Sequence, residues 1–142
     1  APYQGSENFV FLSYSHKDRK IANELLTFLQ FHGIRVWYDA GIPAGENWMN
    51  VIADKIDKAS AVILLSGENS VNSEHVKTEV LNTLRFGRKL IKINLDESKF
   101  DAGIEMYLYS LNQFNYNEIS YEDKNSILES LNLLGAKKTI QA

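Results

Sequence analysis

The 142-residue chain has no cysteine, two prolines, three histidines and no dense run of either charge. Without thiols there is no disulfide, thiolate zinc site, iron–sulfur cluster or cysteine nucleophile. Three histidines give no expectation of a protein-held metal. Fifteen Lys and Arg against eighteen Asp and Glu leave a net charge of -3, which offers little grip to a phosphate backbone or an anionic membrane. Neither nucleic acid nor membrane is therefore expected as a partner. No apolar run approaches the roughly 18 to 20 residues that span a bilayer, and the N-terminus lacks the basic-then-apolar layout of a signal peptide. A cytoplasmic domain is the expectation. What the chain does have is 44% hydrophobic residues, enough for one core.

The pattern predicts a linker or remnant over 1–6, one domain over 7–135 and a tail over 136–142. Phe9 to Ser13 reads as a strand, followed by a helix marked by Ile21, Leu25, Phe28 and Leu29 and stopped at Gly33. Ile34 to Tyr38 is the second strand and Asp39 to Gly45 a Gly- and Pro-bearing loop. Trp48, Ile52 and Ile56 line one face of the next helix. Ala61 to Leu65, apolar throughout, reads as a buried central strand. Ser66 to Asn72 is expected as a polar loop, and Val76, Val80, Leu81 and Leu84 as the apolar face of a helix ending near Gly87. Leu90 to Leu95 is a fourth strand and Gln113 to Tyr116 a short fifth, with one short helix between them. A last helix carries Ile127, Leu128, Leu131 and Leu134 before Gly135. Alternating strands and helices predict an α/β three-layer sandwich of flavodoxin-like topology around a five-stranded parallel sheet. Ligands then bind beyond the carboxyl ends of the strands, near Ser13–Asp18, Asp39–Trp48 and Ser66–Glu79.

Those loops exclude several chemistries. The first has no glycine for a dinucleotide fingerprint, and no Walker-type phosphate loop occurs. A phosphorylatable receiver needs acids after strand one and an Asp at the end of strand three, where this chain has Ser13-Tyr-Ser15 and Ser66. No nucleophile elbow or ordered Ser, His and acid triad is present.

Phe9-Val-Phe-Leu-Ser-Tyr-Ser-His-Lys-Asp18 resembles the first sequence box of Toll/interleukin-1 receptor (TIR) domains. Gly33-Ile-Arg-Val-Trp-Tyr-Asp39 with Ile42-Pro-Ala-Gly45 is similar to the family's second strand and BB loop. Ala61 to Ser66 and Asn72 to Val80 resemble the third strand and the helix bearing the family's catalytic Glu. The resemblance runs from about Phe9 to Leu95 and fades beyond, where Phe114 and Tyr116 stand in for a Phe-Trp third box. It is closest in style to bacterial TIR-domain NAD+ hydrolases and cyclases.

The resemblance implies an NAD+ glycohydrolase that releases nicotinamide and gives ADP-ribose or a cyclic isomer, in bacterial defence or signalling, with NAD+ as substrate and no cofactor. Nicotinamide leaves neutral from a cationic pyridinium, so a general acid is unnecessary and one carboxylate can stabilise the ribosyl cation. Glu79 is the implied catalytic residue, placed at a cleft edge. Glu74 lies at the helix start, where the macrodipole accounts for an acid. His75, four residues before Glu79, replaces the Trp of a W-x-x-x-E pattern and shares its helix face. Tyr14, Ser15, Pro43, Trp48 and His75 are the implied substrate-binding residues, and Lys17 and Arg19 are cations that could steer an anionic dinucleotide. Trp37 reads as core. The resemblance also implies self-association through the BB loop, with Asp39, Ile42, Pro43, Ala44 and Gly45, and further domains of a longer chain as partners. Two other readings stand beside it, a non-catalytic interaction module and a deoxyribosyltransferase-like enzyme that also sets a Glu against a ribosyl cation.

Overall fold

The computed structural model describes residues 2–40, 47–109 and 111–133, with 132 and 133 as backbone. Strands β1 (Val10–Ser13), β2 (Val36–Trp37), β3 (Ala61–Ser66), β4 (Lys89–Asn94) and β5 (Gln113–Asn115) form one sheet in the order β2-β1-β3-β4-β5. Every pairing is parallel, with Val10 opposite Val36 and Ala61, and Ser13 opposite Leu64. This is the predicted flavodoxin-like sandwich. The chain runs from β1 to β2 on one side and then crosses to β3 on the other, so a crevice opens at the carboxyl ends of β1 and β3.

Helix α1 (Arg19–Phe31) follows a 3-10 turn at His16–Asp18. It stops where predicted: Gly33 takes φ 79°, and Ile34 N–H returns to the Leu29 carbonyl at 3.0 Å. Helices α2 (Trp48–Lys58) and α4 (Glu74–Arg85) start on side-chain caps, Asn47 accepting from Asn50 N–H and Ser73 from Val76 N–H. Gly87 closes α4 with φ 65°. Helix α5 (Ala102–Leu108) is the short helix expected before β5, and α6 (Tyr121–Leu133) is the last described element. Leu134 and Gly135 lie outside the described residues.

The segment Ser66–Asn72 departs from the expected loop. Ser66 completes β3, and Glu68–Val71 form a one-turn helix, α3. Local polar groups stabilise that turn: Gly67 N–H donates to Ser70 Oγ at 2.8 Å and Asn72 Nδ2 to the Glu68 carbonyl at 2.8 Å. Tyr3, in the predicted linker, also touches the domain, its N–H donating to the Val36 carbonyl at 2.9 Å.

Strand alternation divides the core. Val10, Leu12, Ile63, Ile91 and Ile93 face α1 and α6, whereas Phe11, Val62, Leu64 and Leu90 face α2, α4 and α5. Trp37 is buried and stacks on Phe11 at 5.2 Å, as a core residue should. Residue 13 shares the face of residue 11. That places the Ser13 hydroxyl under α4.

Candidate active site

The buried stripe of α4 is Val76, Glu79, Val80 and Thr83. This corrects the predicted face in two ways. Leu81 is 53% exposed rather than core, and Glu79, expected at a cleft edge, borders a cavity but joins the buried stripe at 3% exposed. Spacing of three and four residues puts 76, 79, 80 and 83 on one side of a helix, so the acid occupies a position that apolar packing alone would give to a hydrophobe.

A carboxyl group buried in that way is stable only with partners or a proton. Glu79 has both. Ser13 Oγ donates to Glu79 Oε1 at 2.6 Å, and burial raises the Glu79 pKa from 4.5 to about 8, with the Ser13 bond opposing the rise and the Asp39 charge adding to it. At neutral pH the group is an acid carrying its proton.

His75 Nε2 lies 3.6 Å from Glu79 Oε2 and 3.7 Å from Asp39 Oδ2. Burial lowers the His75 pKa, against the pull of Asp39 and with a small push from His16, so the imidazole is neutral at pH 7. The His75–Glu79 contact is therefore a contact of two neutral groups at rest. Trp48, from the first turn of α2, stacks on the His75 ring with centroids 4.4 Å apart and planes at 21°. Asp39 and Trp48 flank the loop between β2 and α2, and both meet the same imidazole.

Asp39, His75 and Glu79 border a cavity of about 170 Å³ lined also by Leu12, Tyr14, Ser15, His16, Lys17 and Ser73. A second hollow of about 390 Å³ shares Ser15, Lys17 and Ser73 with it and adds Glu68, Asn69 and Asn72. Tyr14 is half-buried, and burial raises its phenol pKa. A larger hollow of about 570 Å³ lies at the ends of β4 and β5, lined by Asn94, Asp96, Lys99 and Asn115 among others. It contains no buried acid, so the chemistry points to the Glu79 cavity despite its smaller size.

Of the predicted site residues, Tyr14, Ser15, His75 and Glu79 line the cavity together. Trp48 is 38% exposed and covers His75 instead of extending the buried row of Ile52 and Ile56. Pro43, with Ile42, Ala44 and Gly45, lies outside the described residues. Glu74 is solvent-exposed and pairs with Lys77. Lys17 lines both hollows. Sequence reading missed Ser13 as the partner of Glu79 and Asp39 as the partner of His75. A serine ending a run of buried apolar residues was the available sign of the first; nothing local signals the second. Among the described residues no group of acids and histidines could hold a metal ion, and no helix is long and apolar enough to cross a membrane.

No curated protein sequence matches the chain. Solved structures do match in fold. The TIR domain of the Toll-related receptor TRR-2 from Hydra magnipapillata superposes with TM-score 0.67 at 17% identity, over 87% of this chain and 93% of that one. The CMP N-glycosidase BcmB of Clostridium botulinum gives 0.59 at 20% identity, over 89% and 98%. A 2-deoxyribosyltransferase from Bacillus psychrosaccharolyticus gives 0.60 at 14%, over 92% and 98%. The family profile for the TIR domain matches residues 10–129, and with the sheet order and helix placement of that fold the chain belongs to the TIR-domain family.

Proposed function

We propose that this domain cleaves the nicotinamide–ribose bond of NAD+. The observation that carries the reading is Glu79: a buried carboxyl group on a cavity at the β1/β3 crevice, held by Ser13 and pushed toward neutrality until a positive charge arrives. The pyridinium of NAD+ supplies that charge, and the deprotonated Glu79 then faces the ribosyl cation that forms as the C–N electron pair leaves with nicotinamide. Water attacks the ribose carbon and loses a proton, giving ADP-ribose, nicotinamide and H+. Attack by an adenine nitrogen of the same molecule gives a cyclic isomer instead.

Tyr14 and Ser15 line the cavity for ribose and phosphate contacts, and the adjoining hollow, which shares Lys17 and Ser73 with it, extends the room toward the rest of a dinucleotide. Pro43 and Trp48 complete the binding set, with self-association through the loop from Asp39 to Gly45 as the activating event, in a cytoplasmic protein of bacterial defence or signalling. Two fold relatives named for N-glycosidase and deoxyribosyl-transfer activity agree with glycosidic chemistry, although a shared fold does not decide a reaction.

The test is incubation of concentrated protein with NAD+, with and without a crowding agent, followed by chromatographic separation of nicotinamide and ADP-ribose species. Glu79-dependent release supports the enzyme and the co-product separates hydrolase from cyclase. Release of no nicotinamide from protein shown by light scattering to be assembled would select the interaction module, and exchange of nucleobases between deoxynucleosides would select the transferase.

A further inference from the structure

The acid that must act as a carboxylate rests as a carboxylic acid, so its proton needs a destination. Water is a poor one, because Glu79 is 3% exposed and its second oxygen is taken by Ser13. We propose, on the reading that NAD+ is the substrate, that His75 is the positioning residue that accepts the Glu79 proton when the cationic substrate enters, and that Asp39 and Trp48 hold the imidazolium so formed. The transfer is one proton from Glu79 Oε2 to His75 Nε2, which leaves a carboxylate toward the substrate and a cation beside Asp39.

Three features of the geometry carry this. First, one nitrogen serves both carboxyl groups: Nε2 is 3.6 Å from Glu79 and 3.7 Å from Asp39, so a proton placed on it lies between two acceptors, and closure by less than an ångström makes either contact a hydrogen bond. Second, Trp48 lies parallel to the imidazole at 4.4 Å. That stack keeps the ring aimed at Glu79 and favours the cationic form over the neutral one. Third, the same stack leaves only one ring face for a ligand, so His75 is poorly placed as a stacking platform and well placed as a proton carrier. The other charged or titratable groups acting on this cluster are Tyr14, His16 and Arg19 from the β1–α1 side and Tyr38 beside Asp39. All stay in place in the variants below.

The experiment compares wild type, His75→Gln and Glu79→Gln by side-chain NMR titration of the imidazole and the carboxyl, without ligand and with the non-cleavable cationic analogue carba-NAD+. On binding, His75 should gain a proton and Glu79 lose one. Bound analogue with a neutral His75 overturns the proposal.

Turnover gives a second reading. His75→Gln should lower kcat at pH 6.5 by at least about 10-fold with KM nearly unchanged. At pH 9, where Glu79 ionises unaided, it should recover to within about 3-fold of wild type. An equal deficit at both pH values would mark a merely structural role and overturn the proposal. A Glu79→Gln protein that still cleaves NAD+, or a wild type that neither cleaves NAD+ nor binds the analogue, overturns the underlying function and this inference with it. A His75→Gln deficit that does not recover, beside an inactive Glu79→Gln, removes the inference alone.

Discussion

Two ionisable side chains are buried against the same face of the sheet, and only one of them lines the cavity at the β1/β3 crevice. Glu79 on α4 and Lys92 on β4 are 3% and 0% exposed. Burial pushes both toward the neutral form, raising the acid and lowering the amine. Their surroundings differ. Glu79 borders a cavity and has a short bond from Ser13 and a neighbouring imidazole. Lys92 Nζ makes no hydrogen bond among the described residues, and its nearest acid, Glu105, is 3.9 Å away with one oxygen already accepting from Phe100 N–H. A shifted pKa thus marks burial; access and convergent partners mark chemistry.

Substitutions can break or sharpen that contrast. The largest effect is expected from Glu79→Gln, which keeps shape and the Ser13 partner but cannot ionise: nicotinamide release should fall by about 10² to 10³-fold in a folded protein. Substantial release by the variant would make Glu79 as incidental as Lys92. Ser13→Ala removes the donor that favours the carboxylate. Its acid limb in a pH–rate profile should move upward, kcat at pH 7 should drop about 10-fold, and denaturant unfolding should show a loss of about 1 kcal/mol.

Stability gives a third comparison. The folded pKa of Glu79 lies above its ordinary value, so the folded state binds more protons between about 4.5 and about 8, and the contribution of this group to stability falls as pH rises through that window. Glu79→Gln should therefore match wild type in Tm near pH 5 and exceed it at pH 9 by at least about 3 °C in thermal melts. Equal Tm at both pH values would mean that the carboxyl is not desolvated. The smallest effect is expected at the other site. Lys92→Met exchanges an unsatisfied amine for a similar apolar volume and should raise stability by about 1 kcal/mol while turnover stays within about twofold. A loss of turnover there would give Lys92 a role that its surroundings do not show.

The elements were legible wherever periodicity was local. Ala61 to Leu65 reads as a central strand because both of its faces are apolar, and Gly33 and Gly87 mark helix ends because each takes a positive φ. Facing was harder to read. Hydrophobicity favours Leu81 over Glu79 for the core of α4, yet the buried stripe of Val76 and Val80 takes in Glu79 and leaves Leu81 out, and the acid finds its partner in Ser13, 66 residues away in sequence. Lys92, inside Leu90-Ile-Lys-Ile-Asn94, would pass for a solvent-facing residue of an alternating strand until α5 is laid over it. Trp48 has the spacing of a core residue with Ile52 and Ile56, and only the position of His75 gives it a different surface to cover. The resemblance to a family singled out Glu79, Tyr14 and Ser15, which line one cavity, but it could not supply the burial of the acid.

Asp39 and Trp48 stand nine positions apart in the chain and touch one ring. A segment whose two anchors share a single contact has its span set by that contact and not by its own length. Lengthening a loop adds closure entropy only slowly, about 0.6 kcal/mol for each doubling. Added length between the anchors would therefore cost the fold little, whereas exchange of Pro43 would touch the binding set proposed above. In engineering terms, the His75 ring is a clip between the end of β2 and the start of α2, and it is the clip, more than the length of chain between, that registers Asp39 against Trp48.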